Sequence, residues 1–311
     1  MNKNNLTMRD AFFINLYEEM GKNENIYLIT ADFGAPMLDK IRHNFSTRAI
    51  NVGIAEQNAI NIASGLALEG KIVYIYGIAP FISMRPFEQL RINLSALSSL
   101  RKLNINIIAV GAGASYSVSG PTHHCLEDIS LIRTLPNFEI FSPSNSELVN
   151  RYFKHTIDIK TPKYLRFDAG VLPNLDYDAD DINDGFRVKK AKKSNIAIIS
   201  TGYMSQKAYE ISKEYIVDII DIYSIFCNKN EKLFEYLDKY ENIITIEEGF
   251  VNCGGLDSYI NFHIKNKNIL NLGFEKKYTF EIGNREFIHS LHKIGLNNIK
   301  DILDKLKVSK K

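Results

Sequence analysis

Short apolar runs that alternate with amphipathic segments constrain the fold of this chain more than any other feature. Such runs occur in both halves of the sequence, at 26–30, 71–77, 104–111, 162–167, 195–202, 242–249 and 268–274. Runs of this length that are rich in β-branched and aromatic residues predict buried strands, and the segments between them have helical spacing. Strands that alternate with helices form βαβ units, so we expect an α/β fold with two doubly wound, mostly parallel sheets.

The acidic segment 168–185 interrupts this alternation. It contains six aspartates, no lysine or arginine, and neither the helical nor the strand period. We therefore predict an extended linker at 168–186 that lies across the surface, between a first domain at 1–167 and a second domain at 187–311. A chain of 311 residues is long enough for two domains that each bury a core.

The composition excludes several classes of protein. The chain has 38 basic and 36 acidic residues, so its net charge of +2 gives no general attraction to nucleic acid or to anionic lipid. No apolar run approaches the roughly 20 residues that span a membrane. The polar amino terminus leads directly into a predicted helix. We expect a cytoplasmic protein whose function depends on a local site.

The cysteines and histidines do not predict a metal site. Cys125, Cys227 and Cys253 are widely separated and form no CxxC pair, which argues against a disulfide framework and against a thiolate metal site. The cluster from His123 to Asp128 lies on a loop, where adjacent side chains do not converge on one ion as helical i, i+4 ligands do. We expect reduced, mostly buried thiols and no metal ion bound by this chain.

Two nucleotide-binding motifs can be set aside. The segment GAGASYSVSG (111–120) follows a predicted strand, but Tyr116 stands where a dinucleotide-binding turn has its third glycine, and no helix follows at once. The chain also contains no GxxxxGK[ST] motif. The sequence therefore favours neither a nicotinamide site nor a P-loop.

One acid stands at the boundary between a short predicted strand, Ala49 to Ile54, and an amphipathic helix. Glu56 begins the helical period of the segment 51–70. The helix macrodipole stabilises any carboxylate at a helix start. Glu56 therefore either has only this structural role or also belongs to a functional site. His123 has a similar pair of interpretations, because a histidine beside a glycine-rich loop either hydrogen-bonds the backbone or serves a substrate as donor, acid or base.

Several strings, by their order and spacing, resemble the second half of transketolases over almost the whole chain. They are GIAEQN (53–58), PFISMRPFEQLR (80–91), SGPTHHCLEDISLIRTLPN (119–137), YLRF (164–167), and then STG and EEGFVNCGGLDS. The chain is also similar to the same half of 1-deoxy-D-xylulose-5-phosphate synthase. The resemblance implies a pyrimidine-binding domain followed by a carboxyl-terminal domain, with thiamine diphosphate as the cofactor.

The resemblance also implies roles for individual residues. Glu56 matches the family's catalytic glutamate, which shares a proton with N1′ of the aminopyrimidine ring of the cofactor. Phe81 is the first candidate for an aromatic wall against that ring and Phe87 the second, and Ile54 belongs to the same cofactor-binding set. His123, in GPTHH, matches a catalytic histidine that contacts the hydroxyls of the donor sugar.

Three further residues are candidates for substrate binding. Arg166, in YLRF, matches an arginine that binds a sugar phosphate, although it is alternatively a solvated charge at a strand end. Arg85 lines the entrance of the predicted site or else lies on a helix surface. Ser119 stands where the family usually has aspartate before GPTH or GQTH. A shorter, neutral group cannot make the same charge-assisted contact, so we expect a specialised sugar donor.

The family's diphosphate motif, GDG followed by an asparagine, is absent from this sequence. The resemblance therefore implies one subunit of a split enzyme, in which a partner chain binds the diphosphate and Mg²⁺ and the assembly is α₂β₂. The expected reaction transfers a two-carbon ketol unit between sugars or sugar phosphates. Alternatives are a β subunit of an oxo-acid dehydrogenase, a synthase of the deoxyxylulose phosphate type, and a non-catalytic regulatory subunit with the same fold.

Overall fold

The computed structural model describes residues 6–225 and 231–311. Its strands form one seven-stranded and one six-stranded sheet, with helices packed around them. The prediction of an α/β fold with two mostly parallel sheets is confirmed. Cys227 lies outside the described residues, whereas Cys125 is buried, Cys253 is half-buried and both are free thiols.

The strands follow one another in both halves of the chain. They are β1 (Ile26–Thr30), β2 (Ala49–Asn51), β3 (Ile72–Ile78), β4 (Asn104–Val110), β5 (Glu139–Phe141), β6 (Pro162–Phe167), β7 (Ala179–Asp180), β8 (Phe186–Lys189), β9 (Ile196–Ser200), β10 (Asp218–Ile222), β11 (Ser224–Ile225), β12 (Asn242–Phe250) and β13 (Asn268–Phe274). The first sheet has the order β11-β5-β6-β4-β3-β1-β2, and only the β11–β5 pair is antiparallel. The second sheet has the order β13-β12-β9-β10-β8-β7. In it, β8 is antiparallel to both of its neighbours, β10 and β7.

The helices connect these strands. They are α1 (Met8–Met20), α2 (Leu38–Asn44), α3 (Glu56–Leu68), α4 (Ala79–Met84), α5 (Phe87–Gln89), α6 (Asp128–Arg133), α7 (Ser146–Asp158), α8 (Tyr203–Ile211), α9 (Glu231–Leu237), α10 (Leu256–His263), α11 (Arg285–Leu291) and α12 (Leu296–Lys305). Among the described ranges, no helix is both long enough and apolar enough to cross a bilayer.

Local sequence explains where α1 begins and how α3 packs. The Oγ1 atom of Thr7 accepts a hydrogen bond from the Asp10 N–H at 3.1 Å, which satisfies one unpaired donor of the first turn of α1. Helix α3 buries Ala59, Ile60 and Ala63 in the core, as its apolar period predicts. This packing fixes the helix against the first sheet and thereby fixes the position of its first residue.

One predicted boundary is wrong. The strand expected from Ala49 to Ile54 ends at Asn51, because Gly53 adopts a φ of +74° and turns the chain toward α3. After β3, a helical region starts at Ala79. Pro80 lies in the first turn of α4. Backbone N–H groups there have no partner within the helix, so a proline loses no hydrogen bond at this position. Helix α5 and a π-helical segment, Leu90–Ala96, follow.

The predicted linker at 168–186 is not extended throughout. It contains β7, which pairs with β8 in the second sheet, and a 3₁₀ turn at Ile182–Asp184. Backbone pairing and local turns therefore order a segment whose sequence shows neither period. The division into domains at 167 and 187 remains a prediction.

The two halves also share packing. One core cluster contains Ile129 and Ile140 of the first half together with Leu256 and Ile260 of α10. Strand β11 places Ser224 opposite Phe141 of β5, so a segment of the second half forms an edge of the first sheet. The carboxyl ends of the parallel strands of the first sheet consequently face residues from both halves.

Candidate active site

Glu56 lies at the carboxyl edge of the first sheet, where ligands bind in doubly wound folds. Strand β2 ends at Asn51, the turn at Gly53 follows, and Glu56 is the first residue of α3. The residue is 4% exposed, so its carboxylate is nearly removed from water. A buried carboxylate requires a partner, and the next helix region supplies it.

Arg85 is that partner. Its Nη1 atom donates to Oε1 of Glu56 at 2.7 Å. Its guanidinium also lies over the ring of Phe81, with 4.1 Å between the guanidinium carbon and the ring centroid. Helix α4 carries Phe81, and Arg85 follows directly after that helix. The predicted entrance arginine therefore contacts both the predicted catalytic acid and the predicted aromatic wall.

His123 completes this group from the loop between β4 and α6. Its ring meets Phe81 edge to face at a centroid distance of 5.4 Å, and Tyr116 lies on another side at 6.3 Å. The Nδ1 atom of His123 lies 3.0 Å from Oγ1 of Thr122. We refer to Glu56, Arg85, Phe81 and His123 as the Glu56 cluster. Four residues from three separated segments of the sequence thus meet at one sheet edge.

The other predicted site residues occupy different surroundings. Phe87 is half-buried and packs against the hydrophobic core, so its position favours a structural role over a site role. Ile54 is 75% exposed and stands two residues before Glu56. Ser119 is exposed at the end of the 3₁₀ turn Ser117–Ser119, within the loop that carries His123. Ile54 and Ser119 are therefore accessible to a ligand or a second chain.

Arg166 is not the accessible phosphate ligand that the sequence predicted. It is 3% exposed, and its Nε atom donates to Oδ2 of Asp128 at 2.8 Å. Its Nη2 atom donates to the carbonyl oxygen of Glu248 at 3.1 Å. Because the YLRF strand is central in the sheet and buried, its arginine is held by an acid of α6 and by the second half of the chain.

Sequence reasoning missed an ion-pair network beside the His123 loop. Arg285, at the start of α11, lies 2.6 Å from Oδ2 of Asp168 and also binds both carboxylate oxygens of Glu248. His289 lies 2.6 Å from Glu248, and Ser115 donates to Asp168 at 2.8 Å. We refer to these five residues as the Arg285 network. It joins the end of β6, the end of β12 and α11.

The pKa of Glu248 and the backbone at Gly113 both reflect the close packing of the Arg285 network. Burial alone would raise the pKa of Glu248, but Arg285 and His289 outweigh it and hold that pKa well below its usual range. Gly113 has a φ of +60°, and a Cβ atom added there would lie 2.1 Å from Oε2 of Glu248. Only glycine lets the His123 loop approach the network this closely. Helix α11 also lies against the turn Ser117–Ser119.

The pKa of Glu247 shifts in the opposite direction to that of its neighbour Glu248. Burial, together with the charge of Asp257, raises the pKa of Glu247 to about 7. The Asp257 N–H donates to its Oε1 atom at 2.9 Å, whereas Oε2 has no hydrogen-bond partner among the described residues. Glu247 is thus protonated in roughly half of the molecules near pH 7 and in most of them at lower pH.

The sequence contained a partial signal for these missed residues. Glu247 and Glu248 lie in the EEG string that contributed to the resemblance, and Asp168 directly follows YLRF. Arg285 gave no signal, because neither α11 nor its contacts follow from periodicity. Among the described residues, no three His, Cys, Asp or Glu side chains are placed to hold a metal ion.

Comparisons with known proteins identify the family to which this chain is similar. The family model described as the transketolase pyrimidine-binding domain matches residues 4–173. One apulose-4-phosphate transketolase subunit, from Actinobacillus succinogenes, is 30% identical over 224 residues, which cover 70% of this chain and 70% of the relative. The 6-deoxy-6-sulfo-D-fructose transketolase subunit SqwH of Clostridium sp. (strain MSTE9) is 25% identical and covers 81% and 78%.

A solved structure extends the similarity to both sheets. The structure described as a split gene transketolase, inactive beta4 tetramer, has a TM-score of 0.79 and 25% identity, and the match covers 97% of this chain and 98% of that one. The chain belongs to the transketolase family. It is a transketolase-type subunit that corresponds to the carboxyl-terminal half of the undivided enzymes, as the sequence predicted.

Proposed function

We propose that this chain binds the pyrimidine ring of thiamine diphosphate and, with a partner chain, transfers a two-carbon ketol unit between sugars or sugar phosphates. The observation that carries this proposal is the buried Glu56 at the carboxyl edge of the first sheet, with Phe81 and His123 beside it. The pyrimidine-binding family match and the relatives named as transketolase subunits support it.

The donor set of the Glu56 cluster fits an aminopyrimidine ring. Glu56 provides a carboxylate that is shielded from water, and Phe81 provides an aromatic face next to it. Arg85 contacts both in this structure, so we infer that it moves when a ring occupies this place. When bound, the cofactor supplies the nucleophilic carbon that takes up the two-carbon unit.

The residues of this chain then have separate tasks. Glu56 holds a proton at N1′ of the pyrimidine ring, and its burial keeps that proton from exchanging with bulk water. Phe81 packs against the ring, with Ile54 as the exposed apolar residue nearest to Glu56 in sequence. His123 contacts the hydroxyls of the donor sugar.

Substrate selectivity depends on the loop that carries His123. Ser119 is exposed there and replaces the aspartate that is usual in the family. The named relatives act on apulose 4-phosphate and on 6-deoxy-6-sulfo-D-fructose according to their descriptions, which supports a specialised donor for this chain. Arg85 is 42% exposed in its side chain, so it, and not Arg166, is the arginine of the predicted set that a sugar phosphate can reach.

A second chain completes the proposed enzyme. Two relatives are named as transketolase subunits, and one similar structure is described as an inactive tetramer of β chains. These descriptions support a partner α chain. We further propose that this partner binds the diphosphate and Mg²⁺, and that the two chains form a cytoplasmic α₂β₂ enzyme of carbohydrate metabolism.

Co-expression with a diphosphate-binding partner chain tests the proposal. Thiamine diphosphate binding is measured by calorimetry and ketol transfer by a coupled assay, for the wild type, Glu56→Gln and the control Glu88→Gln. Glu88 is exposed in α5 and pairs with Arg91, so its substitution leaves the site intact. We expect Glu56→Gln to lower kcat by roughly 10²–10⁴-fold, as loss of a proton-transfer group does, and Glu88→Gln to have little effect.

Three results would contradict parts of the proposal. Failure of the pair to bind the cofactor would exclude the enzyme and leave a regulatory subunit. Full turnover of the Glu56→Gln pair would exclude the proton role of Glu56. Equal losses in both variants would show that the effect is not specific to the Glu56 cluster.

A further inference from the structure

A cavity opens at the amino ends of three parallel strands of the second sheet. Its volume is about 880 Å³, and the first residues of β9, β12 and β13 (Ile196, Asn242 and Asn268) line it. Residues 306–309, which follow α12, close one side. Pockets for small molecules generally have volumes of about 300–1,000 Å³, so this cavity can hold a whole small ligand.

Four lysines surround this cavity. Lys192 and Lys193 precede β9, Lys267 precedes β13, and Lys307 follows α12. None of the residues that line the cavity is Asp or Glu. Across the described part of the chain, none of the four lysines forms a salt bridge, and the ammonium of Lys267 donates only to the neutral carbonyl oxygen of Asp238.

Two acids near these segments are paired with other lysines: Glu214 binds Lys300 at 2.6 Å, and Asp304 binds Lys310 at 2.9 Å. Glu241, which directly precedes Asn242, forms no salt bridge in the described part of the chain. The residues that line the cavity thus carry four basic and no acidic side chains, in a chain whose acids and bases nearly balance overall. Like charges that converge on one opening repel each other, and a bound anion relieves this repulsion.

The rest of the lining indicates what else the ligand contains. Eight residues with apolar side chains also line the cavity, among them Ile269 and Val308. Asn195, Asn242 and Asn268 add three amides, of which the Asn268 Nδ2 atom donates to Oδ1 of Asn242 at 3.2 Å. An inorganic anion would use only the lysines, whereas a flat heterocycle with a phosphate tail would use the apolar side chains, the amides and the lysines together.

We propose that this cavity is a binding site for a nucleoside phosphate. The phosphates contact Lys193, Lys267 and Lys307, and the base packs against the half-buried apolar side chains of Ile269 and Val308. The site lies at the amino edge of the second sheet, whereas the Glu56 cluster lies at the carboxyl edge of the first. It is also separate from the Arg285 network, because Glu248 lies six residues after Asn242 along β12, which is roughly 20 Å at about 3.3 Å per residue.

Calorimetry with adenosine triphosphate, without divalent metal, tests the proposal on the full chain. We expect saturable binding, at least tenfold weaker binding of inorganic triphosphate, and at least tenfold weaker binding of the nucleotide by the variant Lys193→Gln/Lys307→Gln. The matched control is Lys22→Gln/Lys160→Gln, which removes two exposed lysines elsewhere and the same charge. This control and Glu56→Gln should bind the nucleotide like the wild type.

A second measurement locates the site independently of those variants. Photo-crosslinking with 8-azidoadenosine triphosphate should label peptides that contain residues 192–196 or 306–309. No saturable binding, equal loss in the two double-lysine variants, or label confined to the first half of the chain would each overturn the proposal. Triphosphate that binds as tightly as the nucleotide would overturn the assignment of a nucleoside. None of these outcomes depends on cofactor binding or ketol transfer.

Discussion

The Nη1 atom of Arg85 lies 2.7 Å from Oε1 of Glu56, so the acid that begins α3 has its own counterion within the chain. The same guanidinium covers the ring of Phe81. Any group that engages both the carboxylate and this ring face therefore competes with Arg85. The contact between Arg85 and Glu56 can therefore be tested directly in the protein without ligand.

We expect a coupling of about 0.5–1 kcal/mol between Arg85 and Glu56 in a double-mutant cycle with Arg85→Met and Glu56→Gln. The coupling should be modest because the arginine side chain is 42% exposed, although the acid is buried. Urea unfolding of the four proteins measures it. The exposed pair Arg91 and Glu88 is the control and should couple by only a few tenths of a kcal/mol. Additive effects at Arg85 and Glu56 would contradict the contact.

Phe81 and Phe87 should respond differently to truncation. Phe81→Ala should weaken thiamine diphosphate binding by the co-expressed pair at least tenfold, because Phe81 belongs to the Glu56 cluster. Phe87→Ala should instead cost about 2 kcal/mol of unfolding free energy, because Phe87 packs against the core. Calorimetry and urea unfolding, run on both variants, separate the two roles. The opposite pattern would assign the ring contact to Phe87.

The unfolding free energy of Glu247→Gln, relative to that of the wild type, should be higher in alkaline than in acidic solution. The folded pKa of Glu247, about 7, lies above its ordinary value of 4.5. The stability contributed by this group is therefore present below about pH 4.5 and is lost as the pH rises through 7. Between pH 5 and pH 8, the unfolding free energy of the variant should rise relative to the wild type by about 2–3 kcal/mol. Urea unfolding at both pH values measures this change.

Glu88→Gln is the reference for that experiment, since its carboxylate is exposed and should show almost no such trend. A difference between Glu247→Gln and the wild type that does not depend on pH would contradict protonation of Glu247 in the folded chain. Glu248→Gln should be destabilised at neutral pH instead, because its ionised form binds Arg285 and His289.

Arg166→Met should destabilise the protein by about 3–5 kcal/mol, because it leaves the buried carboxylate of Asp128 without its counterion. Adding Asp128→Asn should recover part of this loss, since the unpaired charge is then removed. Thermal unfolding of the single and double variants measures both effects. If Arg166→Met unfolds like the wild type but loses affinity for sugar phosphate, the arginine binds substrate after all.

Periodicity predicted the sheets and the position of Glu56, because both depend on short-range patterns of apolar residues. The resemblance predicted that Phe81 and His123 share a site, and the structure places their rings 5.4 Å apart. The contact of Arg285 with Asp168 could not be predicted, since 117 residues separate the two side chains in sequence. The burial of Arg166 could not be predicted for a related reason, because it depends on how the second half covers the end of β6.

The pairing of β11 with β5 has a consequence for how such chains can be recombined. Ser224 and Ile225 lie well beyond the first sheet's other strands in sequence, yet they cover the outer edge of β5. A fragment that stops before residue 224 would present β5 as an uncovered edge, which favours pairing with another molecule. Chimeras that join the first half of one relative to the second half of another therefore have to match at this strand.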